Sequence, residues 1–285
     1  MHYLVLSILF SSFIFVVFKL YVRFKVQTLY AIITNYVVAC TVGLLFYGEQ
    51  VDVAALPEKS WFWGALALGV LFILVFNIMA ATAQKLGVSV ASVATKMSFV
   101  VPVLLGVRLY DESLNTVKVL GICIAVVAVY LSSMKQTAER FSLSMLRYPF
   151  LVFLGSGIID AAIKYFQEEH VPEAEFALFS ALLFFFAGTT GLLFILVKAG
   201  KTPIRANPRN VIGGIALGIP NFFSIYFLLL ALDHGSLPSA SIFTVNNVGI
   251  VLLSTLLGIL LFQEPLSKKN WMGIALAVVS IILVV

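Results

Sequence analysis

The chain has 285 residues, of which 61% are hydrophobic and 11% are charged, and its formal net charge is +5. Soluble domains carry about 25% charged residues, so this composition excludes an ordinary soluble protein and indicates an integral, multi-pass membrane protein. The positive charge does not indicate a nucleic-acid partner, because basic residues beside membrane spans are attracted to anionic lipid head groups.

A window of about 20 residues predicts ten transmembrane helices in chain order. Their predicted bounds are 3–18, 28–47, 61–82, 89–109, 117–134, 149–166, 175–198, 211–231, 238–262 and 270–285. The first span lacks a basic leader and a small-residue cleavage site, so we expect a retained helix. Cys40 and Cys123 both lie within spans and predict neither a disulfide nor a metal site.

The chain contains a diverged second copy of itself. Residues 64–70 read Gly-Ala-Leu-Ala-Leu-Gly-Val, and residues 213–219, which start 149 positions later, read Gly-Gly-Ile-Ala-Leu-Gly-Ile. Each copy has five spans, an odd number, so the second copy enters the membrane from the opposite side. We therefore predict an all-α membrane protein with ten transmembrane helices in two inverted five-helix repeats. The repeats are residues 1–136 (spans 1–5) and 149–285 (spans 6–10), joined by a connecting loop at 137–148.

A second match between the copies follows the fourth span of each. Both copies have an acidic turn, a leucine two positions later and a glycine seven residues after that leucine; the residues are Glu112, Leu114, Gly121, Glu264, Leu266 and Gly273. With the five-helix halves, these marks resemble the EamA branch of the drug/metabolite transporter superfamily over the whole chain. The resemblance implies a secondary transporter of small organic solutes, with export of metabolites, amino acids or drug-like compounds common.

The orientation that the charges predict differs from the one that the resemblance implies. Family members keep both termini in the cytoplasm. Here the loops after odd-numbered spans carry most of the basic residues, namely Lys19, Arg23, Lys25, Lys85, Lys135, Arg140, Arg147, Lys198, Lys201, Arg205, Arg209, Lys268 and Lys269. The loops after even-numbered spans carry only Lys59, Arg108, Lys118 and Lys164. The positive-inside rule therefore places both termini outside.

Polar residues deep in the spans are the candidates for a solute-binding cavity. Ser92, Thr95 and Lys96 share one face of the fourth span at i, i+3 and i+4. The other candidates are Ser11 in the first span, Asn77 in the third, Asn221, Ser224 and Tyr226 in the eighth, and Thr244, Asn246 and Asn247 in the ninth. The alternative for any single one of them is an ordinary hydrogen bond between packed helices.

Two charged residues carry the sharper hypotheses. A central lysine costs about 2.5–3.5 kcal/mol on insertion scales, so we interpret Lys96 as the group that holds the carboxylate or phosphate of an anionic or zwitterionic solute. The alternative is that Lys96 snorkels or bonds carbonyls freed by Pro102. Asp160 is the candidate for proton coupling, and the alternative is a structural pair with Lys164 one turn later. An estimated depth difference of about 11 Å makes Asp160 a poor partner for Lys96.

Small residues and prolines predict features of helix packing. Gly121 and Ala125, their counterparts Gly273 and Ala277, and the pair Gly214 and Gly218 have small-x-x-x-small spacing. This spacing permits either a homodimer face or close packing within one monomer. Pro102 and Pro220 are predicted to interrupt the fourth and eighth spans.

An enzyme is the distant alternative. Ser156 lies between two glycines, but a serine nucleophile needs a neighbouring base, and His2, His170 and His234 all lie at span ends. We therefore predict no catalytic residue, no cofactor and no metal. The predicted protein is a monomeric or homodimeric secondary transporter in the inner membrane of a bacterium, coupled to protons or sodium, with export favoured. A passive channel or scramblase is the nearer alternative.

Overall fold

The computed structural model describes residues 2–48, 50–109, 115–134, 143–199, 207–233 and 239–284. Within these ranges the chain forms α-helices joined by short turns and contains no β-strand. The helices are α1 (His2–Arg23), α2 (Thr28–Tyr47), α3 (Phe62–Leu86), α4 (Val88–Lys96), α5 (Val100–Leu109), α6 (Thr116–Ser132), α7 (Leu143–Glu169), α8 (Phe176–Ala199), α9 (Pro208–Asp233), α10 (Ser239–Phe262) and α11 (Lys268–Val284).

Seven of these helices are long and apolar enough to cross a membrane, namely α1, α2, α3, α7, α8, α9 and α10. The span predicted at 89–109 consists of two helices, α4 and α5, separated by a 3-10 turn at Met97–Phe99. Helices α6 and α11 have 17 residues each. At 1.5 Å per residue each is about 26 Å long, slightly less than a hydrocarbon core of about 30 Å.

The interruptions predicted at Pro102 and Pro220 have different outcomes. Helix α9 runs through Pro220 without a break. In the fourth span the change of helix type comes before Pro102, which lies in the first turn of α5, where a proline is tolerated. The backbone of α7 packs closely against this turn: a β-carbon at Gly157 would lie 2.8 Å from the Ser98 carbonyl oxygen.

Helices in corresponding positions of the two halves pack against each other in opposite directions. In the pair α2 and α8, Gly43 contacts Ala181 and Gly191 contacts Ile33, so the order of contacts along one helix is reversed along the other. The pair α6 and α11 behaves in the same way. Gly121 lies against Val284, near the end of α11, and Gly273, near the start of α11, lies against the end of α6.

The predicted close packing of small residues is found within the chain. A β-carbon at Gly214 would lie 2.7 Å from the Ala31 carbonyl oxygen, and one at Gly218 would lie 3.0 Å from the Asn35 carbonyl oxygen. Only glycine therefore lets α9 approach the backbone of α2 this closely. These two glycines serve packing within one monomer, which was one of the two predicted uses.

Candidate functional site

Lys96, the last residue of α4, lies near a carboxylate of α7, that of Asp160. Helix α4 ends at Lys96, and the 3-10 turn that follows directs Ser98 toward α7. The Ser98 hydroxyl donates a hydrogen bond to the Thr95 carbonyl oxygen at 2.5 Å and lies 3.2 Å from Asp160 Oδ2. Lys96 and Asp160 attract each other electrostatically, yet among the described residues no carboxylate oxygen lies within 4.0 Å of Lys96 Nζ. The two charges are thus close but not in contact.

This arrangement corrects the prediction that Asp160 lies too far from Lys96 in depth. The prediction started the sixth span at residue 149 and let every span fill the hydrocarbon core. Helix α7 instead has 27 residues and is about 40 Å long at 1.5 Å per residue, which exceeds the thickness of the core. Counting from the predicted end of the span therefore gave the wrong depth, and the contact with Ser98 shows that Asp160 lies level with that residue. The alternative partner of Asp160, the Lys164 side chain, lies outside the described part of the chain.

Asp160 is exposed although it lies well inside α7, and Lys96 is half-buried. The exposed apolar residues Leu151 and Ile158 mark another side of α7. Ile158 and Asp160 point about 200° apart, since each helical residue turns by 100°. Asp160 therefore points away from Leu151 and Ile158, and its contact with Ser98 places it on the α4 side of α7.

A second polar cluster joins α1, α2, α9 and α10. The Ser7 hydroxyl donates to the Ser224 carbonyl oxygen at 2.8 Å and lies 3.1 Å from Asn246 Oδ1. Asn221 Nδ2 donates to Asn35 Oδ1 at 3.1 Å. All five residues are buried, so this cluster ties helices together. Ser7 and Asn35 were not predicted, because nothing in the sequence distinguishes them from the other polar residues of α1 and α2, such as Ser12 and Thr34.

The remaining candidates are not all brought together. Ser92, Thr95 and Asn77 each bond a carbonyl of their own helix, at 3.0, 2.8 and 2.7 Å, and Ser92 is completely buried, so it is not on the accessible surface beside Lys96. Tyr226 stacks among aromatic rings, with the Phe46 ring centroid 4.8 Å away. The last three candidates are half-buried, namely Ser11, Thr244 and Asn247.

The repeat relates the charged cluster to uncharged residues in the other half. In the fourth and ninth spans, where the copies are 149 positions apart, Ser98 corresponds to Asn247 and Lys96 corresponds to Val245. In the first and sixth spans Asp160 corresponds to Phe15, so the contact between Ser98 and Asp160 has an uncharged counterpart pair. Charge is thus present on only one side of the repeat relation, which makes the possible site chemically asymmetric.

Glu264 holds the start of α4, the helix that carries Lys96. Its carboxylate oxygens accept the backbone N–H of Val88 at 2.8 and 3.1 Å. Lys19 Nζ lies 3.5 Å from Glu264 Oε1, and the carboxylate side chain is only 9% exposed. A carboxylate at a helix N-terminus satisfies unpaired N–H groups and interacts favourably with the helix dipole. We call this arrangement the Glu264 clasp; sequence analysis noted Glu264 but assigned it no role.

Local backbone geometry directs Glu264 into the clasp. Helix α10 ends with Gln263 in a left-handed conformation at φ 51°, and the Glu264 N–H donates back to the Gly258 carbonyl at 3.2 Å. A β-carbon at Gly258 or Gly87 would lie 2.7 or 2.8 Å from Glu264 Oε2. Both glycines therefore leave the space that the carboxylate occupies.

An ion pair joins the segment before α8 to the segment before α3. Glu175, just before α8, accepts hydrogen bonds from Lys59 Nζ at 2.6 Å and from Trp61 Nε1 at 2.8 Å. The hydrogen bond with Lys59 holds the pKa of Glu175 below its usual value, and the same bond raises the pKa of Lys59. At the opposite end, Gln27 before α2 bonds Asn210 in α9. Each contact joins one half of the chain to the other.

The described residues contain no group of three or more His, Cys, Asp or Glu side chains that could hold a metal ion. The ammonium of Lys96 and the carboxylate of Asp160 can bind charged groups, and the carboxylate can exchange a proton.

Comparison with protein-family models identifies the family of this chain. The model of the EamA-like transporter family matches residues 1–134 and 145–285. An uncharacterized protein of Haemophilus influenzae is 29% identical over 289 residues, covering 99% of this chain and 96% of that protein. A crystal structure of another protein has a TM-score of 0.55 at 16% identity, over 98% of this chain and 97% of that one, which is a likeness of fold alone. Because the two family matches together cover nearly the whole sequence, this chain belongs to the EamA-like transporter family.

Proposed function

We propose that the protein is a secondary active transporter that exports a small organic solute across the inner membrane of a bacterium. Family membership supports a membrane transporter. The observation that carries the proposal further is the cluster of Lys96, Ser98 and Asp160, in which two opposite charges lie close together without an ion pair. Charged residues inside a membrane protein are expensive and usually serve a substrate or ion pathway.

The proposed architecture has ten spans in two inverted repeats, residues 1–136 and 149–285, connected by 137–148. In this description α4 and α5 together form the fourth span. The opposite directions of α2 and α8, and of α6 and α11, support the inversion, because these helices are counterparts in the repeat. Inverted repeats supply two related conformations with access from opposite sides.

In the proposed mechanism Lys96 binds the anionic group of the solute. Its ammonium has no hydrogen-bond partner among the described residues and sits at the end of α4. Asp160 binds a proton, or a cationic group of the solute, on the adjacent helix. Its exposure supports access by either. The half-buried residues Thr95, Ser11 and Asn247 are proposed to complete the cavity wall, and α4 moves as a unit with the chain segment that carries Glu264.

The experiment is untargeted metabolite profiling of cells that overexpress the parent protein or a variant. We expect one or a few anionic or zwitterionic metabolites to accumulate in the medium with the parent and not with Lys96→Met. Lys96→Arg should retain part of the export. Lys268→Met, which removes an exposed charge at the start of α11, is the matched control and should export like the parent. Equal profiles for Lys96→Met and the parent, at equal protein level, contradict the proposed role of Lys96.

We also propose that both termini lie outside the cytoplasm, as the distribution of basic residues favours. A cysteine at Asp52, between α2 and α3, and one at Thr202 should report opposite sides. A membrane-impermeant thiol reagent added to intact cells should label Asp52→Cys only. Labelling of Thr202→Cys from outside would place the termini in the cytoplasm instead.

A further inference from the structure

A groove of about 610 Å³ runs along the outer surface between α1 and α9. We call it the α1–α9 groove. Its walls are mostly apolar and include Phe13, Leu20 and Ile212. The Tyr21 hydroxyl donates a hydrogen bond to the Gly213 carbonyl at 2.9 Å, and this bond joins the two helices at the base of the groove. No part of the described chain fills this space.

One end of the groove carries three positive charges. Arg23 is the last residue of α1, Lys25 lies in the turn that follows, and Arg209 is the second residue of α9. None of the residues that line the groove is acidic. All three basic side chains are exposed, and no hydrogen bond or ion pair engages their charged ends within the described part of the chain. The groove therefore offers an uncompensated site for an anion.

The backbone places Lys25 at an unusual position. The Val26 N–H donates to the Tyr21 carbonyl at 2.9 Å, which is the closing hydrogen bond of a glycine-type helix end. Lys25 occupies the left-handed position of this motif at φ 53°, where glycine is usually favoured. A lysine at this position directs one more charge to the same end of the groove.

The length of the apolar part indicates which kind of anion fits. From Phe13 to Arg23 the groove follows ten residues of α1, which is about 15 Å at 1.5 Å per residue. Half of a hydrocarbon core of about 30 Å has the same thickness. A small free anion would occupy only the charged end, whereas a phospholipid of one leaflet fills both parts: its phosphate lies at the cations and an acyl chain lies along the apolar walls.

We infer that the α1–α9 groove is a binding site for one anionic phospholipid, with the phosphate at Arg23, Lys25 and Arg209 and an acyl chain reaching Phe13. Because α1 belongs to the first half of the chain and α9 to the second, the bound lipid stabilises the junction between them. This inference rests on the membrane location and the groove alone and does not depend on the transported solute.

The test measures binding of phosphatidylglycerol to the purified, delipidated full chain, with phosphatidylcholine as the uncharged comparison. The triple variant Arg23→Gln, Lys25→Gln, Arg209→Gln should bind phosphatidylglycerol roughly 100-fold more weakly, because each basic residue near an anionic lipid contributes about a fivefold factor. The matched control Lys268→Gln, Lys269→Gln removes exposed charges at the start of α11 and should bind like the parent. An equal loss in the triple variant and the control would overturn the site.

A second variant tests the acyl chain separately from the charges. Ala216 is exposed in the groove, so Ala216→Trp fills the apolar part and leaves the three cations in place. We expect this variant to weaken phosphatidylglycerol binding at least tenfold. Glycerol phosphate, which is a head group without acyl chains, should compete poorly with the lipid. Full lipid binding by Ala216→Trp, or equal competition by glycerol phosphate, would show that the groove does not hold a lipid chain.

Discussion

Removing the Glu264 carboxylate should loosen the start of α4 and thereby the position of Lys96. In Glu264→Ala the Val88 N–H loses both acceptor oxygens, and Lys19 loses its ion pair. Loss of a helix cap costs about 0.5–2 kcal/mol, and a buried donor left without a partner costs about 1–3 kcal/mol. These two contributions overlap, so we expect a loss of about 2–3 kcal/mol. Glu264→Gln retains an amide oxygen for Val88 and should lose only about 1 kcal/mol.

The assay is thermal unfolding of the purified protein. With a Tm shift of about 2 °C per kcal/mol for a large domain, we expect a decrease of about 5 °C for Glu264→Ala and about 2 °C for Glu264→Gln. Lys19→Met should resemble Glu264→Gln, because it removes the ion pair and leaves the cap. Glu58→Ala removes an exposed carboxylate and serves as the control. The reasoning is refuted if Glu264→Ala is no less stable than Glu264→Gln.

Three further outcomes are expected. Asp160→Asn should flatten the pH dependence of export, and an unchanged pH profile with normal activity would remove Asp160 from coupling. Gly214→Val should destabilise the chain by about 1–3 kcal/mol through overpacking against α2, measured by thermal unfolding against the exposed-site variant Ala216→Val; equal stabilities would contradict the close packing. The hydrogen bond between Lys59 and Glu175 lowers the pKa of Glu175 and raises that of Lys59. The stabilisation of the folded state by this pair is therefore complete between the pKa values of the unfolded chain, about 4.3 for Glu and 10.4 for Lys. It is lost as the pH falls through the lowered pKa of Glu175 or rises through the raised pKa of Lys59. Glu175→Gln should therefore lower the Tm at pH 7 and have a progressively smaller effect as the pH falls through the lowered pKa of Glu175, and an effect that does not decrease in acid would be inconsistent with the ionised pair.

Hydropathy was sufficient to predict most of the helices, because a long apolar segment has few alternatives to a helix in a membrane. Hydropathy did not predict where the helices begin and end. Helix α7 begins at Leu143, six residues before the predicted start, because Ser144 and Arg147 lower the hydropathy of this segment without preventing a helix. The 3-10 turn at Met97–Phe99 leaves no mark in composition, since its residues suit an α-helix equally well.

The candidate site was harder to predict than the helices because it depends on how helices slide and rotate against each other. Sequence spacing placed Ser92, Thr95 and Lys96 on one face of α4, but it did not predict the contact of Ser98 with Asp160 on α7. That contact follows from the close approach at Gly157, which is a tertiary feature. The internal repeat predicted which residues of the two halves correspond to each other. Which helices pack against each other, and in which direction, could be read only from the structure.

The central claim is that the protein is a carrier that binds its solute at Lys96. Counterflow in proteoliposomes tests this most directly, with the metabolite identified by profiling loaded inside and a labelled trace of it added outside. The account predicts saturable accumulation of label by the parent protein, none by Lys96→Met, and normal accumulation by Lys268→Met. Flux that does not saturate and does not exchange would indicate a passive channel, and full counterflow by Lys96→Met would contradict the proposed site.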